Sequence, residues 1–373
     1  MRNRRQFLKD AAGASAGLLL MGSGARSLRT NALAAQANEP FRRREIRIGT
    51  RRVKTVDVHS HIALPEAAEV CKGTPLEKLA AGGNTRAGTN PHSLGPQRLR
   101  TMDEMGIDVQ VVSINAFWYS AERDLARRLI DVQNQKLANL CAAQPDRFVA
   151  LASVALQFPE LAAQQMEDAI KHLGMRGAAI GGSIEGQELS SPKFDPFWAK
   201  AEEMQALIFM HPQDSAVATG VASRVQGNGF LDNVIGNPLE TTIFLSHLIF
   251  EGTLDRFPNL KLCAAHGGGY LPSYNGRMDQ GCVTLPGRCS KAIRKRPSEY
   301  LKQLYFDAMV FTPEGLRHLI AVCGVTQLGL GSDYPFAWEG DPVGHVLTTP
   351  GLSDIDREAI LGGTMRKLLK IPA

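Results

Sequence analysis

No Cys-x-x-Cys pair occurs among the six cysteines of this 373-residue chain, which argues against a zinc ribbon. Cys141, Cys263 and Cys323 lie in apolar segments and read as small core residues. Cys282 and Cys289 share one polar loop, where a disulfide could form in an oxidising compartment. A surplus of either sign of charge is also missing from the body of the chain. The formal net charge of +5 comes from residues 1–34, where Arg2, Arg4, Arg5, Lys9, Arg26 and Arg29 face only Asp10. Without that stretch, 36 basic residues balance 36 acidic ones, so the basic surplus that nucleic-acid binding would need is absent. No internal repeat is visible. What remains, 44% hydrophobic and 21% charged residues, is the make-up of a soluble globular protein. The length allows two ordinary domains or one large α/β barrel.

Residues 1–35 have the build of a leader. Arg4-Arg5 and Phe7-Leu8-Lys9 precede a mildly apolar run from Ala11 to Gly24, and the small-residue sequence Ala32-Leu33-Ala34-Ala35 follows. This resembles a twin-arginine export signal with cleavage near Ala34 or Ala35, which implies a periplasmic or secreted protein exported folded. The apolar run is too short and too rich in Gly and Ala for a transmembrane helix of ~20 apolar residues, so a membrane anchor is the weaker alternative. Residues 36–54, with Arg42-Arg43-Arg44 and Arg51-Arg52, read as a linker and lead-in strand carrying solvated charge.

From residue 55 to 373 the pattern predicts a single domain. The segment Thr55-Val56-Asp57-Val58-His59-Ser60-His61 reads as a buried strand ending in a His-x-His pair, after which a long segment through Pro96 shows little periodicity and reads as a loop. Further strands are predicted over 108–114, 147–155, 177–180, 207–210, 260–264, 304–306 and 327–330. Helices are predicted over 97–105, 121–143, 159–173, 196–205, 240–257, 313–323 and 354–369. Eight strand-then-helix units, with the helix between Leu260 and Leu304 poorly defined, build an α/β fold of the (β/α)8 TIM-barrel type.

Function in such barrels sits at the C-terminal strand ends. His59 and His61 end the first strand, His211 the fifth, His266 the sixth and Asp333 the eighth. Residues i and i+2 of a strand share a face, so His59 and His61 can address one ion. A chance His-x-His on a surface strand is the bland alternative for that pair alone. Four histidines and a carboxylate at four strand ends suit a divalent metal such as zinc, which lowers the pKa of a bound water to about 7. Glycines flanking His266 and Asp333 are expected to clear space for a substrate or metal. His92, His172, His318 and His345 read as surface or packing residues, and His247 is left open between packing and function. The basic segment 288–296 reads as a solvated loop or an interface element.

The residues now carry a resemblance. From Val56 onward the chain resembles the amidohydrolase superfamily, and within it the branch typified by aminocarboxymuconate-semialdehyde decarboxylase. The phrase Phe257-Pro258-Asn259-Leu260-Lys261-Leu262, then Ala265-His266-Gly267-Gly268-Gly269 with Pro272 and Gly276-Arg277, is similar to that branch's signature, as is Gly331-Ser332-Asp333-Tyr334-Pro335-Phe336 to its strand-eight motif. The resemblance implies that His59, His61, His211 and Asp333 hold one zinc per chain. Manganese or another divalent ion stays open. It further implies that His266 serves as acid/base, Asp333 sharing the catalytic role, and that Arg277 clamps a substrate carboxylate. The branch also uses an arginine from the loop after strand one, where Arg86 stands.

The leading reading is a zinc-dependent, non-oxidative decarboxylase of a small unsaturated or aromatic carboxylic acid. The alternative is a metal-dependent hydrolase of a lactone, ester or amide on the same site. A third, a binding or scaffold protein that kept the barrel and lost its chemistry, is disfavoured by the full set of ligand-type residues. The expected partners are a small carboxylic acid and the twin-arginine export machinery, and related decarboxylases suggest a homodimer.

Overall fold

Strand β1, Val56–His61, is buried along its whole length. In a computed structural model of the chain, residues 42–81, 94–213, 220–289, 291–336, 338 and 340–372 are described. The leader, the first part of the linker, Arg86 and His92 lie outside them. After β1 come β2 (Val109–Ser113), β3 (Phe148–Ala150), β4 (Gly177–Ile180), β5 (Leu207–Met210), β6 (Lys261–Ala264), β7 (Tyr305–Asp307) and β8 (Leu328–Gly329). Strands β1 to β3 pair in parallel order, as do β4 to β8. The parallel bridges Ala152–Ala178 and Asp57–Leu330 join the two runs at both seams. The eight strands thus close into the expected (β/α)8 barrel.

A principal helix follows each strand: α1 (Pro96–Met105), α2 (Arg123–Ala142), α3 (Pro159–Leu173), α4 (Asp195–Met204), α5 (Asn237–Phe250), α6 (Leu271–Thr284), α7 (Pro313–Cys323) and the two-part α8 (Asp354–Glu358 and Thr364–Leu369). Pro occupies the first turn of α1, α3, α4, α5, α6 and α7, where its missing N–H costs no helical hydrogen bond. Apolar faces of the helices pack on the outward residues of the strands, each fully buried Leu, Ile or Phe contributing about 1.5–3 kcal/mol. Among the described residues no helix is long and apolar enough to cross a membrane.

One irregularity in β1 decides what lines the barrel. Val56 pairs with Val109 and Asp57 with Gln110, but beyond a register shift Ser60 pairs with Val112 and His61 with Ser113. Strand β1 therefore carries one extra residue there, a β-bulge. In an unbroken strand Val58 and His59 would point to opposite faces. Here Val56 and Val58 pack in the inner cluster with Val109, Val111, Leu207 and Phe209, and the His59 ring meets Phe209 at 5.0 Å between centroids.

Three expectations are corrected. The segment from 62 to 96 is not all loop, because Pro65–Val70 and Glu77–Ala80 are helical. Helices this short span too few turns to leave a readable period. The helix predicted over 240–257 breaks after Phe250, where Gly252 takes φ +72 and a short turn restarts at Thr253–Arg256. Arg43 and Arg52 are not merely solvated: both pair with the buried Asp108 carboxylate, Arg52 Nη2 at 2.7 Å from Oδ1, and Asp108 also accepts the Thr55 N–H at 2.8 Å. The lead-in residues Arg47–Ile48 and Arg51–Arg52 form a small antiparallel pair.

Candidate metal centre

The C-terminal strand ends bring the five expected side chains to one place. His59 Nε2 lies 3.0 Å from His61 Nε2 and 3.1 Å from Asp333 Oδ1, and His61 Nε2 is 3.0 Å from the same oxygen. His211 Nε2 stands 4.0 Å from Asp333 Oδ1, whereas His266 Nε2 faces the other oxygen, Oδ2, at 3.9 Å. Ligand atoms of His59, His211, His266 and Asp333 all lie within 4.8 Å of one another. Two nitrogens about 2.0–2.1 Å from one tetrahedral ion would be roughly 3.4 Å apart, close to the spacing of the His59 and His61 nitrogens.

The hydrogen bonding supports the same reading. Asp333 Oδ1 is buried and makes no hydrogen bond although three imidazole nitrogens surround it. A buried carboxylate oxygen left so is costly unless a cation satisfies it. The donor set, imidazole nitrogen and carboxylate oxygen, suits a borderline divalent ion. The rim is a divalent-metal site.

Electrostatics within the ring follow from burial and from Asp333. Burial opposes charge on His59, but Asp333 and the bond to Asp307 outweigh it and raise the imidazole to about 10. Burial pulls His61 down to about 4 and holds His211 well below the usual range, with neighbouring imidazoles acting in the same direction. For Asp333, burial favours the neutral form, yet the surrounding imidazoles win and keep its carboxyl well below the usual range. Asp333 is therefore an anion that can attract a cation but has no proton to give.

Two ligand-type residues hold left-handed backbone, His266 at φ +56 and Asp333 at φ +54. Such conformations cost on the order of 1–3 kcal/mol each and persist where surroundings over-determine them. The Asp333 N–H donates to the His59 carbonyl at 2.8 Å, which fastens the strand-eight turn to strand one. The neighbouring glycines serve packing rather than substrate approach. A Cβ at Gly331 would meet the Asp307 Cβ at 2.9 Å and the His59 Cβ at 3.2 Å, and one at Gly268 would strike the Phe306 ring at 2.6 Å.

Sequence reasoning missed the support of these residues. Asp307, ending β7, accepts from His59 Nδ1 at 2.6 Å. The predicted strand stopped one residue short of it, and a carboxylate directly after an apolar strand was the available signal. Beneath the rim, Asp57 accepts from the Ser332 N–H (3.0 Å) and hydroxyl (2.5 Å) and from Gln110 Nε2 (2.9 Å). Burial pushes its carboxyl up to about 6 against those donors. Arg98 of α1, also buried, donates to Gln110 Oε1 (2.8 Å), the His61 carbonyl (2.7 Å) and Ser60 Oγ (3.0 Å), and stacks 4.5 Å over the Tyr334 ring. Burial lowers its guanidinium to about 10. Nothing local in the sequence marks Arg98, because its partners lie on β1, on β2 and in the turn after β8.

Arg277 is exposed on α6 and makes no hydrogen bond or ion pair among the described residues. His247, half-exposed on α5, lies 3.8 Å from Glu188 and 3.9 Å from Glu251, which makes it a surface ion-pair residue. His172 and His318 are exposed on helices. Cys71, Cys141, Cys263 and Cys323 are buried free thiols, and Cys282–Cys289 is a disulfide.

Comparison with known proteins agrees with this geometry. The model of the family described as Amidohydrolase matches residues 56–371. A 2-amino-3-carboxymuconate-6-semialdehyde decarboxylase from Dictyostelium discoideum is 30% identical over 282 residues, covering 73% of this chain and 75% of that protein. A gamma-resorcylate decarboxylase from Rhizobium sp. is 28% identical over 292 residues, covering 74% and 86%. Among solved structures, 5-carboxyvanillate decarboxylase from Sphingomonas paucimobilis superposes with a TM-score of 0.76 at 22% identity, over 86% of this chain and all of that one. With a family match that takes in all five rim side chains and Asp307, the chain belongs to the amidohydrolase family.

Proposed function

We propose that this chain is a metal-dependent, non-oxidative decarboxylase of a small unsaturated or aromatic carboxylic acid, with zinc as the resident ion and manganese as the competing choice. The observation that carries the reading is the graded opening of the imidazole ring. Side-chain exposure rises from 0% at His59 to 4% at His61, 10% at His211 and 16% at His266. His59, His61 and His211 gather at Asp333 Oδ1 and are the proposed ligands with that carboxylate. His266, most open and set against Oδ2, is the proposed acid/base facing the substrate. The names of the relatives support the substrate class, since they are decarboxylases of unsaturated or aromatic acids, and one neighbouring carboxyvanillate decarboxylase was solved with manganese.

When bound, the ion supplies positive charge and Lewis acidity for the substrate's oxygens. His266 delivers a proton to the carbon that bears the carboxylate. The bond between that carbon and the carboxylate then breaks, its electron pair returns to the unsaturated system, and carbon dioxide leaves, so one proton is consumed per turnover. Asp333 remains an anion and holds the adjacent imidazoles in place. Arg277 is proposed to grip the substrate carboxylate, a task that suits a planar guanidinium.

The experiment is turnover of hydroxybenzoates, carboxyvanillate and aminocarboxymuconate semialdehyde by protein loaded with one equivalent of zinc or manganese in deuterium oxide. Carbon dioxide release with deuterium at the vacated carbon supports the reading. Cleavage of lactones or esters with solvent oxygen entering the product, and no carbon dioxide from any acid, would replace it with the hydrolase alternative.

Export by the twin-arginine route to the periplasm or beyond is part of the same proposal. The Cys282–Cys289 bond supports an oxidising compartment. An Arg4→Lys, Arg5→Lys variant retained in the cytoplasm would support it, and unchanged export would refute it. A homodimer is proposed from the exposed apolar Tyr274, Val283 and Leu285 on and after α6, and a monomer in light scattering would exclude it.

A further inference from the structure

We propose that Asp307 is the positioning residue of the metal centre, fixing His59 with its Nε2 bare toward the ion and clamping the left-handed turn at His266. The inference rests on the metal reading of the rim, not on the reaction assigned to it. Asp307 and His59 are both wholly buried, with Nδ1 and Oδ2 2.6 Å apart. An ionised carboxylate only accepts, so a His59 ring neutralised to bind an ion keeps its remaining proton on Nδ1 and turns the Nε2 lone pair toward Asp333 and His61. No other imidazole of the ring has such an anchor. His61 Nδ1 faces only the Ser113 hydroxyl at 3.2 Å, a group that can donate or accept, and the Nδ1 atoms of His211 and His266 are buried without a hydrogen-bond partner. His59 is thus the ligand whose tautomer the protein sets in advance.

The same carboxylate reaches strand six. Oδ2 accepts the His266 N–H at 2.9 Å and Oδ1 the Gly267 N–H at 2.8 Å, the two residues whose φ of +56 and +61 turn the His266 side chain into the rim. Oδ1 also accepts the Met309 N–H at 3.2 Å. One side chain from β7 therefore ties a ligand of β1 to the turn after β6. No orientation of asparagine can repeat this. With its oxygen toward His59, its amide group meets the N–H donors of Gly267 and Met309. Turned over, the amide meets His59 Nδ1 and drives the ring proton onto Nε2, where it blocks the ion.

The test is metal affinity, measured by chelator competition with zinc for the wild type, Asp307→Asn, His59→Ala and the double variant. Asp307→Asn is expected to bind zinc about 10–100-fold more weakly. In the His59→Ala background the same change should cost little more, because its principal target is gone. An Asp307→Asn protein with wild-type affinity, or an equal loss in both backgrounds, overturns the proposal. A second measurement needs no Asp307 variant. Nitrogen-15 NMR of the zinc-loaded wild type should show a protected, downfield Nδ1 proton that is absent from His59→Ala, and a bare Nδ1 would overturn the proposal equally. Only a wild type that takes up no zinc would sink the metal reading together with this inference.

Discussion

The two ends of the barrel both bury charge, and they do so in opposite ways. At the N-terminal end, the buried Asp108 carboxylate is answered by Arg43, Arg52 and the Thr55 N–H. At the C-terminal end, four imidazoles crowd one carboxylate, and Asp333 Oδ1 with two imidazole nitrogens has no hydrogen-bond partner. A saturated cluster stores stability, whereas an unsaturated one waits for something outside the chain. The comparison separates scaffold from site without reference to sequence relatives.

The sharpest way to press this contrast is His266→Ala. Removing an acid/base typically costs 10²–10⁴-fold in turnover, and that is the expected loss in kcat here. Because His59, His61, His211 and Asp333 remain, zinc content by elemental analysis should stay near one per chain. A variant that loses zinc along with activity would make His266 a ligand rather than the proton donor.

The opposite end should respond in the opposite currency. Asp108→Ala strands two guanidinium groups and the Thr55 N–H at a partly exposed cluster, so unfolding by denaturant should show about 2–3 kcal/mol lost, less than for a fully buried pair. Zinc affinity should not change. A weakened metal site in this variant would mean that the two ends are mechanically coupled and that the division drawn above fails.

Acidity separates the ends further. In the metal-free protein His59 is raised to about 10, so its contribution to stability is complete below the ordinary histidine range and is lost as pH rises toward 10. Between pH 6.5 and 8.5, below the ordinary cysteine range, the metal-free protein should lose about 2 kcal/mol, while the zinc-loaded protein shows no such slope because the ion takes the place of the proton. Asp108 is held below the usual carboxylate range despite its burial, chiefly by Arg52, so its share is present above the unfolded value and is lost in acid. Thermal melts of both forms across this range check the sign at each end.

Much of the fold was legible because each barrel strand is a short apolar run and each chemically important histidine stands directly after one. That pattern put His59, His61, His211, His266 and Asp333 at strand ends, and the structure brings them together at one rim. The β-bulge in β1, the Asp307 bond to His59 and the Arg98 network were not legible, since each depends on which strand lies beside which. The glycines around His266 and Asp333 were seen but misassigned, because a sequence shows a missing side chain and not the neighbour that needs the room. Asp307 lay one residue beyond the expected end of its strand, within the usual uncertainty of a boundary.

His247 gives the smallest and cleanest control on this comparison. Its ring is 41% exposed, and its two carboxylate neighbours are 3.8 and 3.9 Å away, distances at which an exposed pair contributes little. His247→Ala should therefore change stability by no more than about 0.5 kcal/mol and leave zinc content and turnover as they were. The residue is identical in chemistry to those of the rim and differs only in where the barrel puts it. An effect on zinc binding as large as that of a rim histidine would show that imidazole chemistry, rather than position at a strand end, had been mistaken for the site.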